Sequence, residues 1–234
     1  MAVNFFSLII LCISLGLLGC ESKSSFHLLV EKCESGDLRS CTDYLKLYSQ
    51  SERPLSDPKV EKVLTKAAEL GNSAAMFSLG VRATQPYTSP VDIKSAIHWF
   101  KKASVAGDSL ASLNLGLIYD HGIGISSDLI QARHWYQKAA DLGNSEGLFN
   151  FGVFLDEGIG GPMDKSAAAR AYRLGAERGD ARSAYNLALM MARGEGIDKN
   201  LDSALKMLER SHKLGYKPAQ KLLIKWSQFE RKGK

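Results

Sequence analysis

A glycine returns at a nearly constant interval along this chain: Gly36, Gly71, Gly107, Gly143, Gly179 and Gly215, in steps of 35, 36, 36, 36 and 36 residues. Asp or Asn follows in five of the six, and Tyr216 in the last. Other columns keep the same register. Four positions after each glycine stands a small residue (Ser40, Ala75, Ala111, Gly147, Ser183, Ala219), and eight after stands a large apolar one (Tyr44, Leu79, Leu115, Phe151, Leu187, Leu223). Three before, Cys33, Ala68, Ser104, Ala140 and Ala176 are small and His212 is the exception. Self-similarity at such a period is the signature of a tandem array of one supersecondary unit.

The columns specify that unit. A glycine can end a helix in the left-handed conformation, and the Asp or Asn behind it can cap the free N–H groups of the next helix. Each unit is therefore read as helix A, a tight turn and helix B. Small residues on both sides of the turn let the two helices approach closely, and the apolar column fills the space between successive units. Helix A adds an aromatic knob in the middle units, at Trp99-Phe100, Trp135-Tyr136 and Tyr172. Three inter-unit loops carry a further glycine pair, Gly122/Gly124, Gly158/Gly160 and Gly194/Gly196, where positive φ is expected. The first two exits, "SERPLSDP" and "TQPYTSP", lack that pair and should differ in shape.

The pattern A-x-x-W-[YF]-x-K-A, A-x-x-G-[DN]-x-x-A, L-G-x-x-Y and G-x-G-[IV], seen in "AIHWFKKASVAGDSLASLNLGLIYDHGIGI", resembles the Sel-one-like repeat (SLR), a relative of the tetratricopeptide repeat. The resemblance covers residues 25–231. It implies an all-α, right-handed α-solenoid of about six helix-turn-helix repeats, near 25–58, 59–89, 90–127, 128–163, 164–198 and 199–231, acting as a protein-binding adaptor.

Residues 5–19, "FFSLIILCISLGLLG", are uncharged but shorter than the ~20 apolar residues a spanning helix needs. The run ends in "LLGC", which resembles a bacterial lipobox, although the preceding "MAVN" has no Lys or Arg. That resemblance implies a signal peptide over 1–19, lipidation of Cys20 and a polar tether over 20–24. Glu21, where inner-membrane lipoproteins of many Gram-negative bacteria carry Asp, points to the outer membrane, facing the periplasm. An ordinary secretory signal or an uncleaved anchor is the alternative.

Within "EKCESGDLRSC", Cys33 and Cys41 face each other across the first turn, in a register suited to a disulfide once the chain is exported. The bridge also resembles that of cysteine-rich SLR proteins, in which every repeat tends to carry one. A reactive dithiol is the alternative.

Some cysteine-rich SLR proteins are described as β-lactamases, so catalysis must be weighed. Ser203-Ala-Leu-Lys206 is a Ser-x-x-Lys, with no Lys-Thr-Gly or Ser-Asp-Asn to complete a site. His27, His98, His121, His134 and His212 show no metal-ligand spacing, and the Gly-x-Gly pairs follow helices rather than strands. Neither a catalytic site nor a metal or cofactor is expected. A net charge of +5 from 30 basic and 25 acidic residues is too small and too mixed to point to nucleic acid.

One column does suggest binding. Nine residues before each turn glycine stand His27, Lys62, His98, His134, Arg170 and Lys206. If the A helices pack directly, the six form a ladder with neighbours roughly 10 Å apart. Such a ladder would suit an acidic peptide, an anionic glycan or lipid headgroups, unless it is merely a solvated helix face. The sequence thus reads as an envelope-anchored scaffold for other envelope or secreted proteins, against the alternatives of a cell-wall or β-lactam enzyme and a secreted host-interaction factor.

Overall fold

The computed structural model describes residues 18–49, 58–85 and 92–232. Among them are twelve helices and no strand, in two compact units, Met1–Asp92 and Ile93–Lys234. The first unit holds α1 (Leu18–Glu34), α2 (Leu38–Ser49), α3 (Pro58–Glu69) and α4 (Ser73–Ala83). The second holds α5 (Ile93–Val105), α6 (Ser109–His121), α7 (Leu129–Asp141), α8 (Ser145–Glu157), α9 (Lys165–Glu177), α10 (Ala181–Arg193), α11 (Leu201–Lys213) and α12 (Lys217–Lys232). Odd-numbered helices are the A helices and even-numbered ones the B helices of six hairpins. The all-α repeat reading is thereby confirmed. Residues 1–17, most of the expected signal segment, lie outside the described residues, and helical backbone from Leu18 takes in positions 20–24.

Each hairpin turn is built alike. At the third turn the Gly107 N–H donates to the Ser104 carbonyl (3.2 Å) and the Asp108 N–H to that of Ala103 (2.9 Å), while the Asp108 carboxylate accepts from the Ala111 N–H at 2.8 Å. Asn72, Asn144 and Asp180 cap their helices the same way. This pairing needs positive φ at the glycine, 90° at Gly107. At the first turn Asp37 instead accepts from the Arg39 N–H and, at 2.6 Å, from the Ser40 hydroxyl. The Ser40 bond holds the exposed Asp37 carboxyl below its usual range.

Between hairpins of the second unit, size complementarity sets the packing. The Tyr136 ring on α7 lies against Gly116 of α6, where a Cβ would come within 2.5 Å of it. One repeat later Tyr172 on α9 lies against Gly152 of α8 at 2.6 Å. Both rings are about 99% buried. Burial, reinforced for Tyr136 by the 2.9 Å bond its hydroxyl donates to Asp120, pushes both phenols well above their ordinary range. In the next repeat the pair changes in opposite senses: the ring gives way to the smaller Leu208 and the glycine to the larger Ala188.

The paired-glycine loops close each repeat on itself. Gly122, Gly124, Gly158, Gly160, Gly194 and Gly196 all have positive φ, as expected. The second glycine of each pair presses on the start of its own repeat's A helix. A Cβ on Gly160 would fall on the Leu129 carbonyl oxygen, and one on Gly196 on the Lys165 backbone. Arg133 locks the middle loop, donating to the Ile159 carbonyl at 3.1 Å and to that of Pro162 at 2.8 Å. The Asp128 N–H donates to the Tyr119 carbonyl at 2.8 Å, and Asp164 and Asn200 repeat that bond at the same register. The exits from α2 and α4 lie largely outside the described residues. The Asp92 N–H nevertheless bonds the Ala83 carbonyl at 2.9 Å in that same register, so the α4 exit closes without its glycines.

Candidate functional site

Cys33 and Cys41 are joined as a disulfide, with a Cα separation of 4.7 Å and no exposure of either residue. The bond spans the first turn from α1 to α2, where the column register puts it. Complete burial makes it a staple rather than an accessible redox centre. The side chain of Cys20 is outside the description, so its lipidation is taken up below as a proposal.

All six ladder residues are exposed. Their electrostatic surroundings divide them. In the first unit, His27 Nδ1 lies 3.4 Å from the Glu31 carboxylate, and Lys62 pairs with Glu34 at 2.8 Å. In the second unit His98, His134, Arg170 and Lys206 make no ion pair among the described residues. The packing that spaces the ladder also differs between the units. Helices α1 and α3 pack directly, but in the second unit each of α7, α9 and α11 packs on the B helix before it, so B helices set the ladder's pitch.

Around these four residues the same helix faces carry further cations. The residues three, four and seven positions on, which share a face at helical spacing, add Lys101 and Lys102 on α5, Lys138 on α7, Arg173 on α9, and Arg210 and Lys213 on α11. With Arg170 and Lys206 this makes eight Lys and Arg against three carboxylates, Asp141, Glu177 and Glu209. None of the eight is within ion-pairing distance of a carboxylate among the described residues. Elsewhere in the unit some cations are ion-paired, while Lys94, Arg178 and Lys199 make no ion pair among the described residues. Lys165 is held by Asp156 at 2.6 Å and Glu195 at 3.4 Å, with its pKa raised chiefly by the Asp156 bond, and Arg182 is held by Asp180 at 2.9 Å.

Two of the A helices add aromatic contacts. Lys102 Nζ sits 4.8 Å from the Trp99 ring centre and Lys138 Nζ 5.5 Å from that of Trp135. His98 and His134 meet the same rings edge-on, at 5.5 and 5.0 Å. The sequence columns had marked the tryptophans only as packing knobs.

The first unit has a groove instead. A cavity of about 530 Å³ lies among α2, α3 and α4, lined chiefly by apolar side chains such as Leu45, Tyr48, Leu64 and Phe77. Leu64 stands there at the register that Phe100, Tyr136 and Tyr172 occupy in the second unit.

Ser203 lies in the first turn of α11. Its N–H is engaged by the Asn200 side chain at 2.8 Å, and its hydroxyl makes no hydrogen bond to Lys206 among the described residues. Among those residues, too, no cluster of His, Cys, Asp or Glu is arranged to hold a metal, and no helix is long and apolar enough to cross a membrane.

Comparison with known proteins locates this architecture. The family model of the Sel1 repeat matches residues 73–108, 109–144, 145–180 and 181–216, more than half of the chain. Its frame begins at each B helix, half a unit out of phase with the helix A, turn, helix B division used above. The crystal structure of a Sel1 repeat protein from Oxalobacter formigenes superposes with a TM-score of 0.70 at 28% identity, covering 80% of this chain and 78% of that one. A protective antigen of uropathogenic Escherichia coli with an SLR fold gives 0.47 at 25% identity, covering 83% and 50%. Cysteine-rich protein B of Helicobacter pylori gives 0.46 at 24%, covering 59% and 99%. No curated protein matches the chain. Sel1 repeats generally mediate protein–protein interactions, and their fold is typically a non-catalytic scaffold. By its repeats and their fold, the chain belongs to the Sel1 repeat family.

Proposed function

We propose that this chain is a lipid-anchored envelope scaffold whose second unit receives an acidic segment of another protein on the exposed faces of α5, α7, α9 and α11. The observation that carries the reading is the set of eight unpaired cations there, facing only three carboxylates. Unpaired surface cations raise the rate and selectivity of association with an acidic partner more than they add to fold stability. His27 and Lys62, which already have Glu31 and Glu34 within pairing distance, are left out of the binding set. Anchoring rests on the "LLGC" sequence at Cys20.

A fluorescent poly-L-glutamate peptide is the probe for the surface. Its affinity for the protein falls as salt shortens the Debye length from about 10 Å at 0.1 M to about 3 Å at 1 M. The double change Arg170→Ala, Lys206→Ala weakens it several-fold. An affinity indifferent to salt, or unchanged in the double variant, rules the surface out. Palmitate labelling of wild type against Cys20→Ser tests the anchor, and an unlabelled wild type would refute it.

A further inference from the structure

We infer that Trp99 is a positioning residue of this surface, and Trp135 its counterpart one repeat on: each indole holds a lysine, Lys102 or Lys138, in place to meet a partner's carboxylate. The inference rests on the acidic-partner reading and says which half of the face is pre-ordered for it. The arrangement repeats at 36 residues, as His98-Trp99-Lys102 and His134-Trp135-Lys138, with the histidine edge meeting the indole at 73° in both. Trp135 is only 8% exposed and Trp99 half-buried, so both rings are fixed platforms. Each lysine lies over its ring, at 4.8 and 5.5 Å.

A free lysine has four rotatable bonds, and freezing them on contact with a partner weakens association. An indole face that attracts the ammonium takes up part of that ordering before the partner arrives. The ammonium has three N–H donors, and the ring covers one side of it, so donors remain for a carboxylate. Helices α9 and α11 lack the device. Ala171 and Met207 stand at the tryptophan register, and Leu174 and Arg210 at the lysine register. The face thus has a half with indole-held lysines on α5 and α7 and a half without them on α9 and α11, where Arg210 instead donates to the Glu177 carbonyl at 3.3 Å.

A mutant cycle on the half-buried Trp99, read with fluorescent poly-L-glutamate at low salt, tests this. Trp99→Leu is expected to weaken binding about two- to five-fold, the range of an exposed cation–π contact. Trp99→Phe restores most of the loss, because a phenyl face also attracts the ammonium. Lys102→Met weakens binding at least as much, and Trp99→Leu combined with Lys102→Met binds no worse than Lys102→Met alone. Wild-type affinity in Trp99→Leu, or losses that simply add in the double variant, overturns the inference and leaves the acidic surface standing. A wild-type protein that fails to bind the peptide removes the surface reading, and the inference with it.

Discussion

At the turn between α1 and α2 the positions three before and five after the glycine hold a disulfide, Cys33–Cys41. At the turn between α5 and α6 the same two positions hold Ser104 and Ser112, buried and joined by a 2.7 Å hydrogen bond. One register thus serves covalent closure in the first unit and polar closure in the second. The surroundings account for the difference. The second unit locks successive hairpins with Tyr136 on Gly116 and Tyr172 on Gly152, and closes its repeats with paired-glycine loops. The first has Leu64 at the tyrosine register, a groove of about 530 Å³ and no paired glycines. In the first unit, a bond that restricts the unfolded chain adds to a core flanked by an open groove.

The comparison breaks most visibly at the loops. Gly160→Ala places a methyl group on the Leu129 carbonyl at a φ of +64° and is expected to cost about 3 kcal/mol, read from urea midpoints. Gly179→Ala, where φ is +88° but no atom lies within 4 Å, should cost only about 1 kcal/mol, since the backbone conformation alone is penalised. Equal costs would mean that the close approach does not matter. Next in size, Cys33→Ser with Cys41→Ser should remove about 2–3 kcal/mol, with faster amide exchange confined to the first unit. If exchange accelerates in α7 to α10 as well, the bridge does not act locally.

The converse change, Ser104→Cys with Ser112→Cys, should form a second bridge in the second unit, leaving no free thiol at those positions without reductant. Its gain should be smaller, about 1–2 kcal/mol, because that turn is already held by a buried hydrogen bond and a tight core. The smallest effect belongs to Lys62→Ala. Removing its exposed ion pair to Glu34 should shift stability by no more than about 0.5 kcal/mol and leave poly-L-glutamate binding unchanged, whereas Arg170→Ala weakens binding.

Much of this was legible in the sequence because the repeat averages out local noise. Six copies of one column place the turn glycines, the Asx caps and the disulfide register without any tertiary information. What escaped needed three dimensions or a second anchor point. Asp128, Asp164 and Asn200 cap α7, α9 and α11, but columns counted from the turn glycine drew no attention to them. Ser104 and Ser112 read as small residues, and their pairing depends on hydroxyl rotamers. The ladder's division followed the same line. His27 and Glu31 are four apart on one helix and could have been seen to pair, but Lys62 and Glu34 are 28 residues apart and meet only because α3 packs on α1.

The fit of a tyrosine on one repeat into a glycine gap on the preceding one bears on how such a chain can change length. Excising Leu129–Asp164, one whole period, would bring Tyr172 opposite Gly116 and hand the cap of α9 to Asp128. Both replacements put back the residue type that was lost. Arrays of this kind can gain or drop an interior copy without repacking, whereas loss of the copy before Leu208 would set a leucine against a gap shaped for an aromatic ring.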